Sequence, residues 1–127
     1  MRTDMNNLSN HEVVRSLEVL QSVSTDIRIV ALASVEGRIL ESTPLSLTEK
    51  VQVGSTSAAL LAIATKMANY VHFGTASHAH LKGEIGSILL VRVGTKAVLT
   101  VIVDGNANHS SIMLESQKLA SRLSFLI

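Results

Sequence analysis

Two histidines, His78 and His80, alternate along the short segment Ser77–Lys82. Imidazole is a common metal ligand and changes its charge near neutral pH. Alternation places both rings on one face of an extended segment, and His72 or His109 would have to supply further ligands. Zinc sites use three or four ligands in fixed geometry, so we interpret the pair as exposed edge-strand residues and predict no bound metal. If they meet their counterparts in a second copy, association would depend on pH.

Asp104, His109 and Ser110 contain the side chains of a serine-hydrolase triad. The members of such a triad are assembled in space by the fold, whereas these three lie within a few residues, where we expect them to cap a helix. Gly54-Ser55-Thr56 lacks the glycine spacing and the lysine of a phosphate loop. We interpret it as small residues that permit close helix contact. The sequence therefore predicts no catalytic residue, no nucleotide site and no cofactor.

The composition excludes several further classes of function. The 127 residues carry a net charge of +1 and only 2% aromatic residues, so the basic patch and stacking platforms of nucleic-acid-binding proteins are missing. No cysteine is present, which excludes disulfides and thiol chemistry. The polar segment Met1–Asn10 lacks the apolar core of a signal peptide, and no apolar run is long enough to cross a bilayer. We expect a cytoplasmic protein with one domain over residues 1–127.

The longest predicted element is a helix over Ser46–Phe73. It begins at the capping box Ser46-Leu47-Thr48-Glu49 and ends before Gly74. Helical spacing predicts a core-facing stripe, flanked by Leu61 and Ala68, that consists of Val53, Ser57, Leu60, Ala64, Met67 and Val71. Because apolar residues also lie on other sides, the helix needs a second neighbour. We expect that neighbour to be another copy of the chain, and an additional segment of the same chain is the alternative.

Two other strips of this helix are candidate binding surfaces. The outer side is mostly small and polar with one isoleucine and one tyrosine, which suits a partner-binding surface made of Gln52, Ser55, Thr56, Ala59, Ile63, Lys66 and Tyr70. A strip of small residues lies beside it and ends at His72. With the edge-strand histidines it forms the predicted dimer interface, made of Gly54, Ala58, Thr65, His72, His78 and His80. The outer side could instead lie against the second copy, and the two surfaces could share both roles.

The remaining segments predict two more helices and five strands. A capping box at Ser9 precedes a helix over Asn10–Val23, and Asn108 or Ser110 begins a last helix that ends near Leu126. Short turns join the strands into a hairpin and a three-stranded meander, with bounds Ile27–Val35, Arg38–Ser42, Ser77–Lys82, Ser87–Val93 and Ala97–Val103. The order α-β-β-α-β-β-β-α predicts an α+β fold. We expect a five-stranded antiparallel sheet with the long helix on one face and the N- and C-terminal helices on the other.

Three segments give the chain a resemblance to the roadblock (dynein light chain) family. Val30–Ser42 is similar to the family's first hairpin, in which a glycine follows an acidic residue and a small residue closes the second strand. Ser57–Ala64 resembles the alanine-rich start of the family's long helix. Ala97–Val103 with Ala107-Asn108 resembles its last strand and the asparagine that opens its final helix. The resemblance extends over roughly Ser9–Leu126.

The resemblance implies a homodimer or heterodimer in which the long helices pair and the two sheets join edge to edge through Ser77–Lys82. Family members are not catalysts. They serve as platforms for small Ras-like GTPases, as subunits of motor or nutrient-signalling complexes and, in some bacteria, as GTPase-activating partners. We therefore expect a non-catalytic homodimeric scaffold that binds and regulates a small Ras-like GTPase. The two edge-strand histidines and the short N-terminal extension depart from the family pattern.

The arginines bear on how such a regulator would act. An arginine finger must reach a nucleotide on the partner, and only Arg38, beside the turn at Gly37, is placed to do so, since Arg28 and Arg92 lie on or beside strands. We interpret Arg38 as a solvated strand charge. Any stimulation of a GTPase would then come from positioning the GTPase's own switch loops.

A different class of function is a small-molecule sensor domain of the profilin or PAS-like α+β type. Such a domain needs a concave apolar pocket with a few polar groups that orient the ligand. The predicted sheet faces carry alanine, isoleucine, leucine and valine, which pack tightly, and few polar groups. The scaffold is therefore the function that the sequence favours.

Overall fold

A computed structural model describes residues 2–105 and 108–127, with side chains described from residue 10 onward. Asn106 and Ala107 lie outside the described residues, and so does the part of the resemblance that falls on Ala107. The elements in chain order are α1 (Arg2–Gln21), β1 (Ile27–Ser34), β2 (Ile39–Ser42), α2 (Leu47–Tyr70), β3 (His78–Lys82), β4 (Gly86–Val93), β5 (Ala97–Asp104) and α3 (His109–Leu126).

The five strands form one sheet in the order β2-β1-β5-β4-β3, and every neighbouring pair is antiparallel. The predicted α+β architecture and its order of elements are confirmed. β1 and β5 lie inside the sheet and are buried on both faces, which agrees with their apolar residues on both faces. β3 and β2 form the two edges of the sheet. The predicted edge position of β3 is also confirmed.

The two faces of the sheet are covered unequally. α1 and α3 pack on one face and form the main core, which includes Val13, Leu17, Leu20, Leu89, Val91, Leu99, Val101, Ile112, Leu119 and Leu123. α2 packs on the other face over a much smaller buried cluster, made of Ala33, Leu61, Leu90 and Val98. One helix cannot cover a five-stranded sheet, and apolar surface therefore stays open on the α2 side.

α2 begins as the sequence predicts. The Ser46 hydroxyl accepts a hydrogen bond from the Glu49 amide at 3.1 Å, and the Glu49 carboxylate accepts one from the Ser46 amide at 3.0 Å. These two bonds complete a capping box, and they lower the pKa of the Glu49 carboxyl because they stabilise its charged form.

The end of α2 and the start of α1 differ from the prediction. α2 ends at Tyr70 rather than Phe73, because His72 adopts the left-handed conformation with φ of 65°. The Phe73 and His72 amides then donate to the carbonyls of Ala68 and Asn69 in a Schellman motif. α1 already begins at Arg2, so the predicted cap at Ser9 is wrong. No glycine or proline between Arg2 and Ser9 interrupts the helix there.

The start of α2 is held against the β1–β2 hairpin by two glycines. A Cβ placed on Gly54 would lie 2.6 Å from the Gly37 carbonyl oxygen and 3.3 Å from Ile39 Cγ1. Gly37 itself has φ of 101°, as the turn requires. The predicted close helix contact at Gly54 therefore exists, but it is made with a hairpin of the same chain.

Candidate partner-binding surfaces on the long helix and sheet edge

α2 rests on the sheet through three buried residues, Gly54, Ser57 and Leu61. The Thr100 hydroxyl donates to the Ser57 hydroxyl at 2.8 Å and fixes this face over β5. Met67, 66% exposed, and Val71, 43% exposed, were predicted to be core residues, and that prediction is wrong. The sheet contacts the helix along the edge of the predicted stripe that carries Ser57 and along its flank at Leu61, so Met67 and Val71 stay exposed.

The side of α2 that points away from the sheet is an exposed surface, which we call the outer face. It consists of Gln52, Thr56, Ala59, Ile63, Lys66, Met67 and Tyr70. Near the end of the helix Ile63, Lys66, Met67 and Tyr70 line a shallow apolar depression of about 340 Å³. Tyr70 is 83% exposed. All seven residues of the predicted partner surface are exposed, and Met67 is the member that the sequence analysis missed.

Ser55 differs from the other residues of the predicted partner surface in its position. It lies beside the β1–β2 hairpin, in a second groove of about 400 Å³ that also contains Arg38, Leu47, Lys50 and Val51. Leu47 and Val51 are exposed there. Arg38 is exposed at the rim of this groove, where a partner's surface could reach it.

The apolar stripe of α2 faces an unfilled groove between the helix and the sheet, which we call the open groove. A cavity of about 210 Å³ lies there, lined by Gln52, Val53, Thr56, Ser57, Leu60, Ile88, Thr100 and Ile102. Ile102 pairs with Ile88, and Ile88 pairs with Leu81 on the edge strand. These three side chains form an apolar row across β5, β4 and β3. Its last member, Leu81, is 41% exposed.

The opposite flank of α2 carries the strip of small residues that was assigned to the dimer interface. Ala58 and Thr65 line a cleft there with Arg92. The Thr65 hydroxyl accepts a hydrogen bond from Arg92 Nη2 at 2.6 Å. Gly54 contacts Gly37, and His72 ends the helix. Four of the six predicted interface residues thus have roles within their own chain, whereas His78 and His80 lie on the free edge.

The edge strand β3 presents its backbone to solvent. Arg92 donates to the Ser77 carbonyl and Gly83 to the Gly86 carbonyl, at 2.9 and 2.7 Å. In this antiparallel register the odd-numbered residues therefore exchange hydrogen bonds with β4. The N–H and C=O groups of His78, His80 and Lys82 point outward. Such an edge is a template for pairing with another strand.

The edge histidines turn their side chains toward α3. The His78 ring lies 2.9 Å from the Ser77 hydroxyl and 3.3 Å from Gln117 Nε2. The rings of His80 and His109 pack edge to face with centroids 5.1 Å apart. Desolvation first, and then the charges of His80 and Lys82, lower the pKa of His109.

The residues that resemble catalytic or metal-binding groups form separate contacts. Asp104 pairs with Arg28 at 3.7 Å, whereas His109 packs on His80. Within residues 10–105 and 108–127, no three histidine, aspartate or glutamate side chains are grouped so as to hold a metal ion. In the same described part of the chain, no helix has the length and hydropathy to span a membrane.

Comparison with known proteins places the chain in a family. Residues 15–103 match the family model described as Roadblock/LC7 domain. No curated protein matches the sequence. A structure titled "MglB with tetrameric arrangement" superposes with a TM-score of 0.84 and 16% identity, covering 93% of this chain and 89% of that one. Myxococcus xanthus MglB superposes with a TM-score of 0.81 and 18% identity, covering 91% and 94%.

Profilin II of Acanthamoeba castellanii has a related fold. It superposes with a TM-score of 0.62 and 13% identity, covering 86% of this chain and 94% of that one. At these identities the structural likenesses concern the fold alone. The family match, which spans most of the chain, carries more weight than the likeness to profilin.

Proposed function

Because the chain belongs to the Roadblock/LC7 domain family, we propose that it is a non-catalytic homodimeric scaffold that binds and regulates a small Ras-like GTPase. The single observation that carries the proposal is the unequal cover of the sheet. α2 leaves an apolar groove on one flank and an apolar depression on its outer face, and both are open surfaces that a protein partner could cover.

The second copy fits the open groove better than the flank with Ala58 and Thr65. The apolar row Ile102, Ile88 and Leu81 leads from the groove to the free edge of β3. Next to Leu81, the backbone N–H and C=O groups of His80 point outward from that edge. A two-fold axis beside this edge would pair the two β3 strands and bring the apolar stripe of each α2 toward the other. A homodimer of this kind buries the row and pairs the edge in one step.

The GTPase fits the outer face of α2. With the open groove covered by the second copy, Ile63 and Tyr70 stay exposed and supply large side chains of the kind that dominate binding energy at interfaces, whereas Gln52, Thr56 and Met67 lie at the boundary with the groove. Lys66 supplies a charge at the rim of the depression. Arg38 lies at the other end of the helix, away from this depression. We therefore propose that regulation acts through contacts with the switch loops of the GTPase rather than through an arginine finger.

A titration tests the GTPase part of this proposal. The small Ras-like GTPases of the same organism are titrated with the protein in the GDP-bound state and with a GTP analogue. We expect one of them to bind in at least one state, and Ile63→Asp to weaken that binding at least tenfold, roughly the effect of losing an interface anchor. Leu114→Asp is the matched control, because Leu114 is an exposed leucine on α3, on the other face of the sheet.

Two results would count against the assignment. The first is that none of these GTPases binds in either nucleotide state although the protein is folded and dimeric. The second is that Ile63→Asp and Leu114→Asp have equal effects, which would place the GTPase elsewhere on the molecule.

A further inference from the structure

The Arg92 side chain, on β4, is the polar centre of a cleft on the flank of α2 opposite the open groove. Its Nε donates to the Ala76 carbonyl at 2.9 Å and its Nη2 to the Thr65 hydroxyl at 2.6 Å. The residue is half-buried. These bonds hold the guanidinium in one orientation between β4 and the second half of α2.

The charge of Arg92 has no counter-ion among the described residues. A guanidinium carries five N–H donors, and the two bonds above use two of them. Within residues 10–105 and 108–127 no aspartate or glutamate oxygen lies within 4.0 Å of this side chain. Partial burial of a cation without an anionic partner costs free energy that a bound anion would recover.

The cleft beside Arg92 has the size and lining of a small-ligand site. Its volume is about 370 Å³, within the range of known ligand pockets. Apolar side chains form most of the wall, and Thr65 and Thr95 contribute hydroxyl groups to the lining. The lining residues are Val35, Ala58, Leu61, Ala62, Thr65, Arg92, Thr95 and Val98.

We propose that this cleft binds a small carboxylic acid with a short apolar body. The carboxylate takes the remaining N–H donors of Arg92, because a guanidinium fork matches the two oxygens of a carboxylate. The body packs against the accessible apolar side chains of the cleft, Val35 and Ala62. An inorganic phosphate would use the charge of Arg92 but would gain nothing from these apolar walls, so the lining selects the carboxylate.

The site is separate from the surfaces assigned to the dimer and the GTPase. The open groove lies on the other flank of α2, and the outer face points away from the sheet. The inference therefore holds or fails independently of the proposed function.

Nuclear magnetic resonance titration of the whole protein tests the proposal with benzoate as the probe. Benzamide, of the same shape but uncharged, and inorganic phosphate are the comparison ligands. We expect benzoate to bind at millimolar concentration and to shift the amide signals of Thr65, Thr95 and Val98. Benzamide and phosphate are expected to bind at least tenfold more weakly, because each lacks one of the two contributions.

Three variants locate the benzoate site. Arg92→Gln removes the charge, and Ala62→Leu fills the cleft while leaving both anchoring bonds of Arg92 in place; each is expected to weaken benzoate binding at least tenfold. Lys96→Gln, which removes an exposed charge from the β4–β5 turn, is the control and is expected to leave binding unchanged. If Arg92→Gln fails to fold, Ala62→Leu alone decides the outcome.

The proposal is overturned if benzoate does not bind, or if benzamide or phosphate binds as tightly as benzoate. It is also overturned if Ala62→Leu binds benzoate as the unaltered protein does, since the carboxylate would then lie outside the cleft.

Discussion

Single residues decide how α2 sits on the sheet, and Gly54 is the most constrained of them. Gly54→Ala would bring a Cβ to 2.6 Å from the Gly37 carbonyl oxygen, a backbone atom, so that the hairpin or the helix must shift. Alanine favours a helix over glycine by about 1 kcal/mol, but we expect the clash to dominate and to lower the free energy of unfolding by about 1–3 kcal/mol. Urea denaturation measures this. Thr56→Ala, at an exposed position nearby, is the control, and a Gly54→Ala protein as stable as the parent would contradict the close approach.

We expect His109 to make the stability of the fold depend on pH. Its lowered pKa means that the folded protein favours the neutral ring, so the unfolded chain takes up a proton first as the pH falls below about 6.5. The contribution is therefore present above that pH and is lost as the pH falls toward the folded value. The charged or titratable groups facing the ring are His80 and Lys82 on β3.

We expect His109→Gln to lose less stability than the parent between pH 7.5 and 5.5, as measured by thermal unfolding at each pH. His11→Gln removes an exposed histidine on α1 and is the control. Parallel pH profiles for the parent and His109→Gln would show that the ring does not contribute.

At the scale of elements, the edge strand offers a test that leaves the fold intact. The N–H group of His80 points away from β4, so His80→Pro removes a donor from the free edge without removing a hydrogen bond within the sheet. We expect this variant to stay folded and to dissociate at concentrations where the parent is dimeric. His80→Val keeps the N–H and is expected to stay dimeric. Equal dimer affinities for the two variants would show that the edges do not pair.

The order of the elements could be predicted from the sequence, and the orientation of α2 could not. Hydrophobic periodicity found the stripe of Val53, Leu60 and Met67. It does not distinguish a stripe that packs on the chain's own sheet from one that faces an open groove. The side that meets the sheet is centred on Gly54, Ser57 and Leu61. Of these only Ser57 belongs to the predicted stripe, and only Leu61 is strongly apolar. Met67 was misplaced for this reason, and the other exposed residues of the outer face followed from the spacing.

The Arg92 cleft was beyond prediction for a different reason. Its two anchors lie 16 and 27 residues away in the sequence. The pairing of β3 with β4 brings Ala76 to Arg92, and the crossing of α2 over β4 brings Thr65. The sequence shows an arginine on a strand, whose ordinary expectation is a solvated charge. The half-burial of Arg92, and the lack of a carboxylate partner within residues 10–105 and 108–127, become visible only in the folded chain.

At the scale of the whole molecule, one asymmetry underlies the account. Two helices cover one face of the sheet and a single helix covers the other. The uncovered part of that second face is continuous with an unpaired edge. The proposed second copy would cover both at once, which would account for a helix with apolar residues on several sides.

The most direct test of this account is the mass in solution, measured by sedimentation velocity for the protein alone and mixed with the small Ras-like GTPases of its organism. The account predicts a species of twice the 13.6 kDa chain mass at micromolar concentration, and a heavier complex that forms with a GTPase in at least one nucleotide state. A folded monomer of 13.6 kDa that gains no mass with any of these GTPases would contradict it.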